Sequence, residues 1–223
     1  MLNIKISLLV LACLAIYVSA DTKDWANLAR YAKSSAELAK LPPGSNEVVF
    51  IGSSTIDFWS KNGVFFPGKP YVNRGIGGQT SRHVLERFPQ DVIQLKPKAV
   101  LIQIGSNDIA AKMTMDEIKT KVGQMVQMAK AHGIKVILAS LNPTCGNVSK
   151  QRPPATFMAY NAWLKSFSEA NGLTYVDYYS HLVGKDGYFR KELNLDCLHA
   201  NAAGYAIMSP LTEVAIKKAL GKK

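Results

Sequence analysis

Glu47-Val48-Val49-Phe50-Ile51-Gly52-Ser53-Ser54 is an apolar run that stops at a glycine and two serines. A strand with one wet face alternates apolar and polar residues, whereas a run that is apolar at every position fits a strand covered on both faces of a parallel sheet. Glu47–Ile51 is therefore read as the first strand. Comparable runs at Ala99–Ile104 and Lys135–Ser140, and shorter ones at Tyr71–Asn73 and Leu173–Val176, bring the expected strands to five.

Amphipathic stretches fill the gaps between these runs. Helices are expected over Asp24–Leu41, Ser81–Leu95, Met115–Ala131, Pro154–Asn171 and Ala202–Leu220. Thr114 with Glu117 makes a capping box, Gly133 after His132 is a stop, and Pro210 should kink or divide the last helix. Strand-helix alternation with right-handed crossovers predicts an α/β protein, a three-layer α/β/α sandwich around a five-stranded parallel sheet of order 2-1-3-4-5. Ligands of such sheets bind at the carboxyl ends of the strands. The expected edge gathers Ser54 after the first strand, Gly78 after the second, Asn107 after the third, Cys145 after the fourth, and Asp196 with His199 beyond the fifth.

The chain has 223 residues, of which 48% are hydrophobic, enough for one domain with a sizeable core, and this excludes disordered and fibrous classes. Residues 1–20 stand apart: Lys5, an apolar run from Ile6 to Val18, and the small-residue site Val18-Ser19-Ala20 read as a cleaved secretory signal. The remaining 21–223 are read as a single domain, secreted or periplasmic. Lipidation at Cys13 is the weaker alternative, because the apolar run continues past it. No later stretch approaches the apolar length of a transmembrane helix. Cys145 and Cys197 remain in a compartment that permits a disulfide; a bridge is expected if their loops meet, and two free thiols are the alternative. The net charge of +11 suits contact with anionic envelope surfaces, but scattered lysines without interleaved aromatics do not suggest nucleic acid.

Four segments carry chemistry. A serine hydroxyl needs a base to take its proton, and a histidine held by a carboxylate is such a base. Ser54 and His199 fit those parts, with Asp196 as the orienting carboxylate in Asp196-Cys197-Leu198-His199. Acyl transfer also needs donors for the developing oxyanion; Asn107 offers a side-chain amide, Gly78 a backbone N–H, and Ser54 its own N–H if it opens a helix. Gly-x-Ser-x-Gly is absent, since Ile56 stands two residues after Ser54, and no metal-ligand spacing occurs. Neither a metal nor an organic cofactor is expected.

Val49-Phe50-Ile51-Gly52-Ser53-Ser54, Asn73-Arg74-Gly75-Ile76-Gly77-Gly78-Gln79-Thr80, Gly105-Ser106-Asn107-Asp108 and Asp196-Cys197-Leu198-His199 together resemble the blocks of the SGNH or GDSL-type serine esterases and lipases. The resemblance runs from Val48 to about Met208. It implies the flavodoxin-like SGNH-hydrolase fold, Ser54 as nucleophile, and an oxyanion hole of Ser54, Gly78 and Asn107. Two positions depart from the family pattern, Ser53 for aspartate before the nucleophile and Gln79 after the oxyanion glycine. The expected substrate is a small-molecule, carbohydrate or lipid ester. Short-acyl or carbohydrate O-acetyl esters are favoured; a lysophospholipase or lipase is the first alternative and a non-catalytic carbohydrate-binding module the second. His83, His132 and His181 are read as structural, Trp59 and Phe58 as core or acyl-pocket lining, and Asn142–Pro154 as a loop shaping the pocket.

Overall fold

The computed structural model describes residues 24–222; the expected signal segment 1–20, with Cys13, lies outside the described residues. Five parallel strands, β1 (Val48–Gly52), β2 (Tyr71–Gly75), β3 (Ala99–Gln103), β4 (Lys135–Ala139) and β5 (Thr174–Val176), form one sheet of order β2-β1-β3-β4-β5. Nine α-helices lie among the described residues: α1 (Ala29–Leu38), α2 (Ser54–Asp57), α3 (Trp59–Asn62), α4 (Ser81–Asp91), α5 (Ser106–Ala110), α6 (Met115–Ala131), α7 (Pro154–Ala170), α8 (Tyr179–Leu182) and α9 (Ala202–Leu220).

Successive strand residues point to opposite faces, so each apolar run feeds two cores. Val49, Ile51, Val100, Ile102, Val136 and Leu138 pack with Val84 and Phe88 of α4, Ile118 and Val122 of α6, and Phe157 and Leu164 of α7. Val48, Phe50, Leu101, Ile137 and Ala139 pack on the other side with Ile56, Trp59, Tyr178, Tyr205, Met208 and Ile216. The continuous apolar runs are thus the middle layer of an α/β/α sandwich.

Several boundaries moved for local reasons. The first helix begins at Ala29 instead of Asp24, because the Asp24 carboxylate accepts the N–H groups of Leu28 (2.7 Å) and Ala29 (2.8 Å) and closes a turn there. α4 ends at Asp91, Val92 leaves helical geometry, and a 3-10 turn covers Ile93–Leu95. β2 reaches Gly75, two residues beyond the apolar stretch, by carrying the buried Arg74. Pro210 does not divide α9, which is continuous over Ala202–Leu220. Pro210 and Ala206, whose carbonyl would have received the missing N–H, both lie on the exposed face, so that carbonyl is open to solvent and the lost bond costs little. Thr114 and Glu117 form the expected capping box.

Candidate active site

The C-terminal end of β1 runs directly into α2, so Ser54 occupies the first helical position and its N–H has no partner among the described residues. Gly75, the register partner of Gly52, makes this turn possible. A Cβ on Gly75 would lie 2.1 Å from the Asp57 backbone nitrogen, so α2 packs against β2 only because that side chain is missing.

His199 approaches from a loop far along the chain. Its Nε2 lies 2.8 Å from Ser54 Oγ and its Nδ1 lies 2.7 Å from Asp196 Oδ2. With Nδ1–H donating a hydrogen bond to the carboxylate, Nε2 is left to accept from the serine hydroxyl. The second Asp196 oxygen accepts the backbone N–H of His199 (2.8 Å) and of Leu198 (3.1 Å), so one carboxylate fixes both ring and backbone. Burial pushes the Asp196 carboxyl up, but the bonds from His199 outweigh it and hold the group below its usual range. The centre of the Phe58 ring lies 4.9 Å from that of the His199 imidazole, whereas Trp59 is wholly in the core.

The loop that carries Asp196 and His199 is braced from several sides. Cys197 takes a left-handed φ of 67°, and a disulfide joins it to Cys145. The N–H of Cys197 donates to Asn194 Oδ1 at 2.8 Å, that of Leu195 to the His199 carbonyl at 2.9 Å, and that of Cys145 to the Cys197 carbonyl at 3.1 Å.

Gly78 and Asn107 stand at the ends of β2 and β3. Gly78 has φ 80°, a backbone glycine adopts without strain, and its N–H has no partner among the described residues. Nothing lies within 4 Å of where its Cβ would be, so the glycine faces open space. Asn107 Nδ2 donates to the Gln79 carbonyl at 3.0 Å, which leaves its second N–H without a protein partner.

Three residues that hold these donors were not singled out from the sequence. Asp57 accepts the Gly77 N–H at 3.0 Å and pairs with Arg30 at 3.0 Å, tying the glycine loop to α2. Arg87, fully buried, donates to Gln79 Oε1 (2.6 Å), Asp91 Oδ2 (2.8 Å) and the Gly52 carbonyl (3.0 Å), so it joins the end of β1 to the residue after Gly78. Gln79 reaches on to the Ala26 carbonyl at 2.7 Å, which accounts for a glutamine at this position. Arg152 donates to Asn107 Oδ1 at 3.0 Å and to Ser106 Oγ at 3.2 Å. Buried Asp108 accepts the Ser81 N–H at 2.9 and 3.0 Å, fastening α5 to the start of α4. Burial pushes its carboxyl above the usual range, against the bonds from Ser81.

The other histidines serve local geometry: the His83 ring bonds Thr80, that of His132 the Met128 carbonyl, and that of His181 the Asp177 carbonyl. A cavity of about 10 Å³ is lined by Ser53, Thr55, Ser106, Asn142 and Leu198, among others. A larger cleft, about 730 Å³, lies beyond the disulfide between Gly146 and the Gly184–Asn194 loop, and Ser54 does not line it. No helix among the described residues is long and apolar enough to cross a membrane.

Comparison with known proteins places this arrangement. The profile of the GDSL-like Lipase/Acylhydrolase family matches residues 57–207. A Bacteroides fragilis protein provisionally assigned as an acylhydrolase is 39% identical, with a TM-score of 0.83 over 89% of this chain and 99% of its own. A GDSL-like lipase of Bacteroides thetaiotaomicron is 35% identical, with a TM-score of 0.80 over 87% of this chain and 99% of its own. Platelet-activating factor acetylhydrolase IB subunit alpha2 of Homo sapiens is 27% identical over 75% of each chain.

Proposed function

This chain belongs to the GDSL-like lipase/acylhydrolase family and is a carboxylic ester hydrolase, and from that premise we propose that it works through an acyl-enzyme on Ser54, removing short acyl groups. The observation that carries the reading is the unbroken hydrogen-bond chain from Ser54 Oγ through His199 to Asp196, at 2.8 and 2.7 Å. Ser54 Oγ attacks the ester carbonyl as its proton passes to His199 Nε2. Asp196 stabilises the imidazolium that forms. The oxyanion accepts from the N–H groups of Ser54 and Gly78 and from Asn107 Nδ2. His199 then protonates the leaving alkoxide, so the alcohol departs and the acyl group stays on Ser54. A water, deprotonated by the same nitrogen, hydrolyses the acyl-enzyme and restores Ser54.

One observation supports a short acyl group. The human relative is by name an acetylhydrolase. Acetyl esters of carbohydrates are the natural substrates that fit this reading. The leader pattern of residues 1–20 and the Cys145–Cys197 disulfide both support a secreted or periplasmic protein, since structural disulfides persist in oxidising compartments. Without Lys5 of the leader the net charge is still +10 (+11 less one), which favours anionic envelope surfaces around it.

A fluorophosphonate probe and a panel of nitrophenyl esters of rising chain length test the proposal. Labelling is expected for the wild type and not for Ser54→Ala, with kcat/KM falling from acetate to the long-chain esters. A labelled Ser54→Ala variant would overturn the nucleophile, and a preference for long chains would overturn the acyl assignment.

A further inference from the structure

We propose that Arg152 is a positioning residue of the oxyanion site, holding the Asn107 carboxamide in the one orientation that leaves an N–H for the substrate. The inference rests on the acyl-transfer reading of the site. An asparagine amide is nearly symmetric in shape, so its neighbours decide which end is oxygen. Here the neighbours are unambiguous. A guanidinium can only donate and a carbonyl can only accept, and Asn107 stands between the two, its Oδ1 on Arg152 Nη2 at 3.0 Å and its Nδ2 on the Gln79 carbonyl at 3.0 Å. Turning the amide over would set N–H against N–H at one end and oxygen against oxygen at the other.

Arg152 also acts on the strength of the donor. A cation hydrogen-bonded to an amide oxygen draws electron density from the nitrogen and makes the remaining N–H a better donor. The charge is not spent on an acid. Among the described residues no carboxylate comes within 4.0 Å of the Arg152 guanidinium, and its side-chain bonds go to Asn107 and Ser106.

The backbone around Arg152 is fixed accordingly. Its carbonyl accepts from the buried Thr144 hydroxyl at 3.0 Å, its N–H donates to Val148 at 3.1 Å, and Thr144 in turn accepts the Phe189 N–H at 3.1 Å. At the other end of the same segment Cys145 is bonded to Cys197, two residues before His199. The stretch from Cys145 to Arg152 therefore brackets the site, with the base on one end and the oxyanion donor on the other.

A double-mutant cycle on p-nitrophenyl acetate separates this role from general support of the loop. Arg152→Gln should lower kcat about tenfold while KM changes less than about twofold, and Arg152→Lys should recover part of the loss. The acid limb of the pH profile should keep its position, because the base is untouched. In an Asn107→Ala background, Arg152→Gln should then cost less than about twofold, since its target is gone. Independent losses that multiply in the double variant, or a wild-type kcat for Arg152→Gln, would overturn the proposal. Should Arg152→Gln fail to fold by its melting curve, the same cycle run with Arg152→Met, which cannot donate to the amide oxygen, decides on the same two outcomes. Full activity in Ser54→Ala would sink the underlying reading instead, whatever Arg152 does.

Discussion

Ser54 Oγ and His199 Nε2 lie 2.8 Å apart although 145 residues separate them in sequence. Nothing local brings them together: β1 delivers the serine to the sheet edge, and a loop beyond β5, braced by Cys145, delivers the histidine. Asp196, within the same loop, is the only member of the group that reaches its partner by local geometry.

Removal of any member of this group should therefore be severe and not additive. Ser54→Ala and His199→Gln should each lower kcat by roughly four to six orders of magnitude, with Asp196→Asn somewhat less damaging. A Ser54→Ala/His199→Gln double variant should be no slower than either single one. Steady-state kinetics on a nitrophenyl ester checks this, and multiplicative losses would show that the residues do not act as a unit.

The pH dependence of activity and of stability should part company. A protonated imidazole cannot serve as base, so kcat/KM should rise from acid to neutral pH. Asp196 is held below the ordinary carboxylate range, so its stabilising bonds are complete above the unfolded value near 3.8 and are lost only as pH falls through the lower folded value. Glu47 behaves likewise: bonds to Lys222 (2.6 Å) and Lys98 (3.2 Å) hold it below 4.5, against the effect of burial. Burial holds His83 below the usual imidazole value, so its contribution to stability starts to fall at mildly acid pH; the melting temperature should decline gradually while activity is lost, and more steeply only where Asp196 and Glu47 take up protons. Parallel loss of both would assign the acid limb to unfolding.

Gly75 should tolerate no side chain. A methyl there would overlap the Asp57 backbone nitrogen at 2.1 Å, and a backbone atom of the single-turn helix α2 cannot move without carrying the Ser54 turn with it. Gly75→Ala should cost at least about 3 kcal/mol or abolish folding, whereas Gly123→Ala on α6, with nothing within 4 Å, should be harmless. Denaturant melts of the two variants give the comparison.

The sheet was legible because covered strands must be apolar on both faces, and the chain spells Val48-Val49-Phe50-Ile51 and Ala99-Val100-Leu101-Ile102 without interruption. The group at the sheet edge was legible because each member directly follows such a run or lies in a short motif. The residues that hold the group were not. Arg87, Asp57 and Arg152 are charged, and composition places charge on the surface; only the tertiary contacts, Arg87 to Gly52 and Arg152 to Asn107 across 35 and 45 positions, reveal their work. Part of the +11 is consequently not surface charge at all, since Arg74 and Arg87 are buried.

The disulfide should matter more to stability than to rate. Cys145 and Cys197 are separated by 52 positions, and closing a loop of that size in the unfolded chain stabilises the fold by at most about 4 kcal/mol on the chain-entropy account. For a protein of this size that corresponds to a fall in melting temperature of roughly 8–16 °C on reduction. The catalytic loop would still keep the bonds from Cys197 to Asn194 (2.8 Å) and from Leu195 to His199 (2.9 Å), and the Asp196 carboxylate would still hold the imidazole. A Cys145→Ser/Cys197→Ser variant should accordingly melt earlier yet lose only a few-fold in kcat at 25 °C, a scale set by the loosening of one brace among several. Scanning calorimetry and initial rates on the same preparation check both halves. An unchanged melting temperature would mean that packing alone holds the loop, and a loss of several orders of magnitude in kcat would make the disulfide part of the catalytic geometry itself.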